Sequence, residues 1–170
     1  MTSAHPSVLA DSSTLIGLAR IGRLDLLSMF PVPIYVTRTV WREVAGDPNR
    51  PGVLALVQAE AEGVLRIIDA GDETAYPELD AGENATLSAA AEMRAHVIVD
   101  ERKARERMHN DAALRAAIRA PLTTIGVVIR AKHQGLIPAV QPILDQLRQE
   151  RFWLSQSDYE RALRAAGEGP

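Results

Sequence analysis

The sequence predicts an α/β fold, a parallel sheet sandwiched by helices, with extra helices at the C-terminal end. Short apolar runs, Ser7-Val8-Leu9-Ala10, Ile34-Tyr35-Val36, Val64-Leu65-Arg66-Ile67-Ile68 and His96-Val97-Ile98-Val99, alternate with longer segments of helical periodicity. Strands separated by helices of this length imply right-handed crossovers and a sheet covered on both faces. The first and fourth runs are followed at once by an aspartate, Asp11 and Asp100, and the third by Asp69. In an open α/β sheet the carboxyl ends of the strands form the crevice where ligands bind, so the repeated position carries functional information.

In chain order, Asp11 is followed by Ser12, Ser13 and Thr14, whose hydroxyls suit a helix start, and Leu15, Ile16, Leu18, Ala19 and Ile21 give that helix an apolar stripe. Gly22 interrupts it, residues 23–30 continue as one or two further turns, and Pro31 and Pro33 end the unit. After the second strand, Thr37 or Thr39 caps a helix that turns Val40, Trp41 and Val44 inward, until Gly46-Asp47-Pro48 stops it. Pro51-Gly52 opens the next helix, which runs through Glu62, and the third strand follows with Asp69 at its end. Residues 69–80 read as an exposed loop. Asp80-Ala81-Gly82-Glu83 begins an alanine-rich helix through Arg94, and after Asp100 a basic helix or pair of helices extends to Arg119. A last strand is expected around residues 121–124. Helices are expected at 125–134, 140–151 and 157–166, the last opened by the capping box Ser157-x-x-Glu160. No repeat or linker divides the chain, so a single domain over 1–170 is expected.

The 170 residues carry 46% hydrophobic and 24% charged side chains, an ordinary globular composition able to bury one sizeable core. Aromatics amount to only 4%, so that core is built from Ala, Leu, Val and Ile, and rows of stacked aromatics for single-stranded nucleic acid are not expected. No apolar stretch approaches the roughly 20 residues that cross a bilayer, and residues 1–6 lack the charged and apolar regions of a signal peptide, which predicts a cytoplasmic protein without membrane contact. The absence of cysteine excludes disulfides, thiol catalysis and cysteine-based zinc sites. A net charge of −3 argues against coating nucleic acid through a global field, but local basic patches exist. Arg102, Lys103, Arg105 and Arg107 follow Asp100 directly, with Arg115, Arg119, Arg130, Lys132 and His133 beyond. A solvated helix face is the commoner explanation of such a patch, and nearness to Asp100 raises the RNA alternative for Arg102, Lys103 and Arg105.

Glu43, on the helix after the second strand, and Glu83, in the first turn of the helix before the fourth, can face the same crevice as Asp11 and Asp100. Four carboxylates converging there would raise one another's pKa unless divalent cations neutralised them, and magnesium or manganese takes such hard oxygen ligands. A cation so held can activate water for phosphodiester hydrolysis without a covalent intermediate. Each acid also has a structural alternative: Asp11 and Asp100 as helix caps, Glu83 as a first-turn acid facing the helix dipole, Glu43 as a surface residue. Thr123 and Thr124 either support a metal-bound water or fill the strand end. Asp47, Asp69, Asp80, Glu101 and Asp111 read as solvent-facing or capping, and His109 as a surface residue without a second histidine at ligand spacing.

The runs Val8-Leu9-Ala10-Asp11-Ser12-Ser13-Thr14-Leu15-Ile16, Val40-Trp41-Arg42-Glu43-Val44, Gly82-Glu83-Asn84-Ala85 and Ile98-Val99-Asp100-Glu101-Arg102 together resemble a PIN domain, a Rossmann-like fold. The similarity covers most of residues 7–135. Thr124-Ile125-Gly126-Val127, Gly135-Leu136-Ile137-Pro138 and residues 144–166 extend it to a prokaryotic subgroup with a helical C-terminal extension, here 136–170. The resemblance implies a divalent-metal ribonuclease of the VapC toxin type, encoded with a small antitoxin that inserts into the acidic crevice, and often dimeric. It makes Asp11, Glu43, Glu83 and Asp100 the catalytic, metal-binding acids, with Mg2+ or Mn2+ as cofactor and Thr124, then Thr123, as polar supporters. Glu83 stands where Asp is common in the superfamily, so it reaches metal either directly or through water, and Glu101 can share a ligand role with Asp100.

Two other classes of function compete. A catalytically silent module of the same fold would bind a protein or RNA partner. Phosphotransfer of the response-regulator kind would use Asp69 as acceptor but wants a lysine just after the last strand, where none comes before Lys132; Asp-x-Asp phosphatase motifs and phosphate-cradling glycine loops are absent. A homodimer through the Ala-rich and Leu-rich helices is expected, while the RNA target is not encoded in any motif.

Overall fold

The computed structural model describes residues 6–169. The stretch at the N-terminus that bears on localisation lies, but for Pro6, outside them. The central sheet has five parallel strands, β1 (Val8–Ala10), β2 (Ile34–Thr37), β3 (Leu65–Ile68), β4 (His96–Ile98) and β5 (Pro121–Leu122), in the order β3-β2-β1-β4-β5. Register is set by the pairs Val8↔Ile34 and Val8↔His96 on the two sides of β1. The order reverses at β1, so the switch point lies between β1 and β4, the two strands followed by Asp11 and Asp100.

Alternation along the strands divides the core into two layers. Val8, Ala10, Ile34, Val36, Leu65 and Ile98 face one side. Leu9, Val97 and Val99 face the other. Against the first side pack α1 (Ser12–Arg20), α2 (Arg38–Ala45), α3 (Val53–Ala61), α7 (Thr124–His133), α8 (Gln141–Gln149) and α9 (Gln156–Ala165). Against the second lie α4 (Ala81–Glu92), α5 (Arg102–Asn110) and α6 (Ala112–Ala117). The sheet is therefore sandwiched as the alternation of the sequence predicts, and the C-terminal helices belong to the same core, with Leu144 and Leu147 fully buried beside Leu15 and Leu18.

Local signals explain most element ends. Asp11 caps α1 by accepting from the Thr14 N–H, Thr37 rather than Thr39 caps α2 through the Val40 N–H, and Asp80 and Glu83 form a reciprocal capping box on α4. Residues 24–29 form a 3-10 helix. Three expectations are revised. The last strand is only Pro121–Leu122, because Thr123 leaves it to cap α7 by accepting from the Gly126 N–H. The cap of the final helix lies two residues before the expected one: Ser155, not Ser157, is the cap, and it accepts from the Asp158 N–H at 3.0 Å. The alanine-rich face offered for a dimer is buried within the fold, where Ala85, Ala89 and Ala90 let α4 sit close on the sheet. Among the described residues no helix is long and apolar enough to cross a membrane.

Candidate active site at the switch point

Asp11 and Asp100 meet at the carboxyl edge of β1 and β4. The ladder continues past the strands, since the Asp11 N–H donates to Ile98 O at 3.1 Å and the Asp100 N–H donates to Asp11 Oδ2 at 3.3 Å. Asp11 is almost fully buried, and its Oδ1 also accepts from the Thr14 N–H at 3.0 Å. The Ser13 hydroxyl stands between the two acids, 3.0 and 3.1 Å from the oxygens of Asp11 and 3.5 Å from Asp100 Oδ2. Asp100 is held from the other side: the Thr124 N–H donates to Oδ1 at 2.9 Å, and the hydroxyls of Thr124 and Thr14 both donate to Oδ2, at 2.5 and 3.2 Å. Thr124 is fully buried and lies 3.0 Å from the Thr14 hydroxyl, so one network ties α1 and α7 to both acids.

Burial dominates the electrostatics of this pair. Loss of hydration, then repulsion from Asp100, pushes Asp11 up to about 7, although its hydrogen bonds to Thr14 and Ser13 act the other way. Burial also raises Asp100, opposed by the hydroxyl and N–H of Thr124 and by the positive charge of Arg105. Two desolvated carboxylates bridged by the Ser13 hydroxyl cannot both ionise cheaply, and the pair retains a proton near neutrality unless a cation replaces it.

The remaining predicted acids ring the same edge without joining the pair. Glu43 accepts from the Ser12 hydroxyl, which brings α2 onto the start of α1 one residue from Asp11. Its carboxylate also lies over Gly82 in the first turn of α4; a Cβ there would stand 2.6 Å from both oxygens. Glu83, one residue on, turns back to its own helix, where Oε2 accepts from the Asp80 N–H at 3.1 Å. Partial burial raises its pKa, with repulsion from Asp80 and Glu101 added. Among the described residues no three acidic or histidine side chains converge tightly enough to hold a metal. The four-acid cluster expected from sequence is thus an arc: a contacting pair, Glu43 beside it through Ser12, and Glu83 engaged in a helix cap.

The donor set nevertheless suits a hard divalent cation. The side chains hydrogen-bonded to Asp11 and Asp100, those of Ser13, Thr14 and Thr124, present oxygen, and magnesium binds through as few as one or two carboxylates when substrate phosphate completes its shell. Thr123 is occupied as the α7 cap, while Glu101 is exposed and makes no capping bond with its side chain. Of the basic residues, Arg102 pairs with Glu106 at 3.4 Å and Lys103 is exposed, whereas Arg105 lines the cleft beside Asp100. Arg107 is held by Glu78 and stacks over Tyr76.

Sequence reasoning passed over Ser13 and Thr14 as site residues because hydroxyls after a strand read first as helix starters. It also missed Gly82, whose function is the space it leaves. The run Asp11-Ser12-Ser13-Thr14 carried the signal, since three successive hydroxyls exceed what one cap needs.

No curated protein matches the chain. A family model, DUF3368, described as a PIN domain, matches residues 7–168. PIN domains are nucleases as a class and typically use divalent metals, in keeping with the buried oxygen-lined pair at the switch point. The match runs from the first strand to the last helix, taking in the sheet, the arc of acids and the C-terminal helices: the chain belongs to the PIN-domain family.

Proposed function

We propose that the protein is a divalent-metal-dependent endoribonuclease, the toxin of a VapC-like toxin–antitoxin pair acting in the cytoplasm on RNA phosphodiesters. The observation that carries the reading is the buried contact between Asp11 and Asp100, which keeps two carboxylates desolvated where strand order reverses. Asp11 and Asp100 would hold Mg2+ or Mn2+, with Glu43 and Glu83 completing the negative arc directly or through water. The bound ion supplies a water of lowered pKa and charge neutralisation at the phosphate. The chain's own residues do the rest. Thr124 and Thr14 fix Asp100 in one rotamer through three hydrogen bonds, Ser13 bridges the acids, and Arg105 places positive charge beside them where a phosphate approaches.

A small antitoxin protein is the proposed regulator, and a homodimer the proposed assembly. Leu54 and Val57, one helical turn apart and exposed on α3, support a protein-contacting face there. The second reading, a catalytically silent module of this family, draws on the engagement of Glu83 in its cap and Glu43 with Ser12.

The deciding experiment is cleavage of a labelled structured RNA with Mg2+ or Mn2+, beside Asp11→Asn and Asp100→Asn. Metal-dependent cutting by the wild type, lost in both variants, is the expected result. Calorimetry showing no divalent-ion binding, with no cutting of varied RNAs, would leave the silent module.

A further inference from the structure

Asp100 borders two clefts, of about 310 and 370 Å³, which share Phe152 and Trp153 as well. They lie on the two sides of the short segment joining α8 to α9, and Trp153 stands between them. The way the chain reaches this point is specific. Arg151 ends α8 in the left-handed conformation, φ 64°, and the Phe152 N–H closes the turn by donating to Leu147 O at 2.9 Å. This reversal drops Phe152 onto Gly17 of α1, where a Cβ would come within 2.9 Å of the ring. Leu154, two residues on, is buried again. Trp153 is therefore held outward between two anchored neighbours and is 81% exposed.

Singly exposed apolar side chains are common on proteins. This one differs in its surroundings. Arg105 and Arg161 line the cleft on one side, Arg20 and Arg151 the cleft on the other. Arg161 is paired with Asp158 at 3.1 Å, and Arg20 donates to Glu150 O at 3.3 Å. The side chains of Arg105 and Arg151 make no hydrogen bond or ion pair among the described residues. An exposed indole shared by two clefts that each reach Asp100 and each carry an uncommitted guanidinium suits an unpaired base flanked by phosphates. A duplex keeps its bases stacked inside and offers the indole nothing to cover. The low aromatic content argues against a row of such platforms, and Trp153 is the one exposed aromatic side chain among the described residues.

We propose that Trp153 is a stacking platform that seats one unpaired base of the RNA beside Asp100, with the adjoining phosphates over Arg105 and Arg151. This deepens the ribonuclease reading and rests on it, by making the substrate single-stranded where it is cut. Trp153 is a binding residue supplied by the C-terminal helices, which gives that extension a share in substrate choice.

The test uses full-length protein kept metal-free with chelator, so that binding is read without cleavage. Anisotropy of a labelled single-stranded oligoribonucleotide and of the same sequence as a duplex is measured for wild type, Trp153→Ala and Trp153→Phe. Expected are a loss on the order of tenfold for the single strand in Trp153→Ala, recovery in Trp153→Phe and little change for the duplex. In a Trp41→Phe background the single strand quenches the fluorescence of Trp153. With metal present, KM for cleavage rises in Trp153→Ala while kcat holds. Unchanged single-strand affinity, or an equal loss for both RNAs, overturns the platform and leaves Trp153 to a protein contact. The nuclease reading is judged separately by Asp11→Asn: cutting lost there but untouched in Trp153→Ala sinks the platform alone, and wild type that neither binds nor cuts RNA sinks both.

Discussion

Both carboxylate oxygens of Glu43 lie 2.6 Å from where a Cβ on Gly82 would stand, so the start of α4 serves as a bed for the acid of α2. Gly82 is buried and has no left-handed backbone to protect, which leaves that contact as the reason for a residue without a side chain. Gly82→Ala should therefore separate folding from activity. Alanine favours the helix by up to about 1 kcal/mol, and the group in the way is the end of a flexible side chain, so thermal stability should hold or rise slightly. Glu43 is displaced from Ser12, and cleavage should fall by about tenfold to a hundredfold, since misplacing a reacting group by 1 Å costs on that order. A differential melt and a cleavage rate on the same preparation check both halves; a variant as active as wild type would remove Glu43 from the site.

Asp11 sets a pH dependence of stability with a definite sign. Its folded pKa, about 7, lies above its ordinary 3.8, so the folded state binds the extra proton and the group weakens folding as pH rises from about 4 to 7. Below that window the penalty is absent, and above it the penalty is full. Metal-free Asp11→Asn should accordingly be more stable than wild type at pH 8, by about 2 kcal/mol after allowing for one lost acceptor, and no more stable at pH 4. The difference between the two proteins isolates Asp11 from acids shifted downward, such as Asp69 and Glu78. Denaturant melts across that range, repeated with Mn2+, should show the metal stabilising wild type and not the variant.

The placement of Asp11 and Asp100 was legible because a strand of known direction delivers the residue after it to one edge. Their contact follows from strand order, β1 beside β4, which crossover handedness makes natural for the fold class. Glu83 was harder. Sequence places it in the first turn of α4, but whether its carboxylate points across the crevice or back to the Asp80 N–H is a rotamer choice between two short-range partners, and periodicity does not record it. The extent of β5 was obscured for a similar reason, since Thr123 suits a strand and a cap equally. Trp153 was missed altogether because its importance comes from Arg151 taking a left-handed turn usually made by glycine, which no residue type announces.

Thr124 provides a test of how Asp100 is held. Its hydroxyl is buried, donates to Asp100 and sits 3.0 Å from the Thr14 hydroxyl, so Thr124→Val keeps the shape and removes the bonds. Stability should drop by about 1–2 kcal/mol. Those bonds favour the charged form of Asp100, so their loss raises its pKa further and moves the acidic limb of the pH–rate profile to higher pH. Thr124→Ser should restore the limb. A profile that stays in place in Thr124→Val would mean that Asp100 does not titrate in the rate-limiting state.

Glu83 is committed in this structure to a bond that an amide can make equally well, which allows its two possible duties to be separated. In the capping box Oε2 accepts from the Asp80 N–H while the Glu83 N–H donates to Asp80 Oδ1 at 2.8 Å, and glutamine fills the first role as readily as glutamate. Burial and the nearby Asp80 and Glu101 raise the pKa of Glu83, so removing its charge does not harm folding at neutral pH. Glu83→Gln should then melt within about 2 °C of wild type. What glutamine lacks is negative charge toward the crevice. If Glu83 completes the metal-holding arc, cleavage should fall by about tenfold to a hundredfold, and extra Mn2+ should recover part of it by mass action. A fully active Glu83→Gln would assign the residue to the cap alone and reduce the acids of the site to Asp11, Asp100 and Glu43.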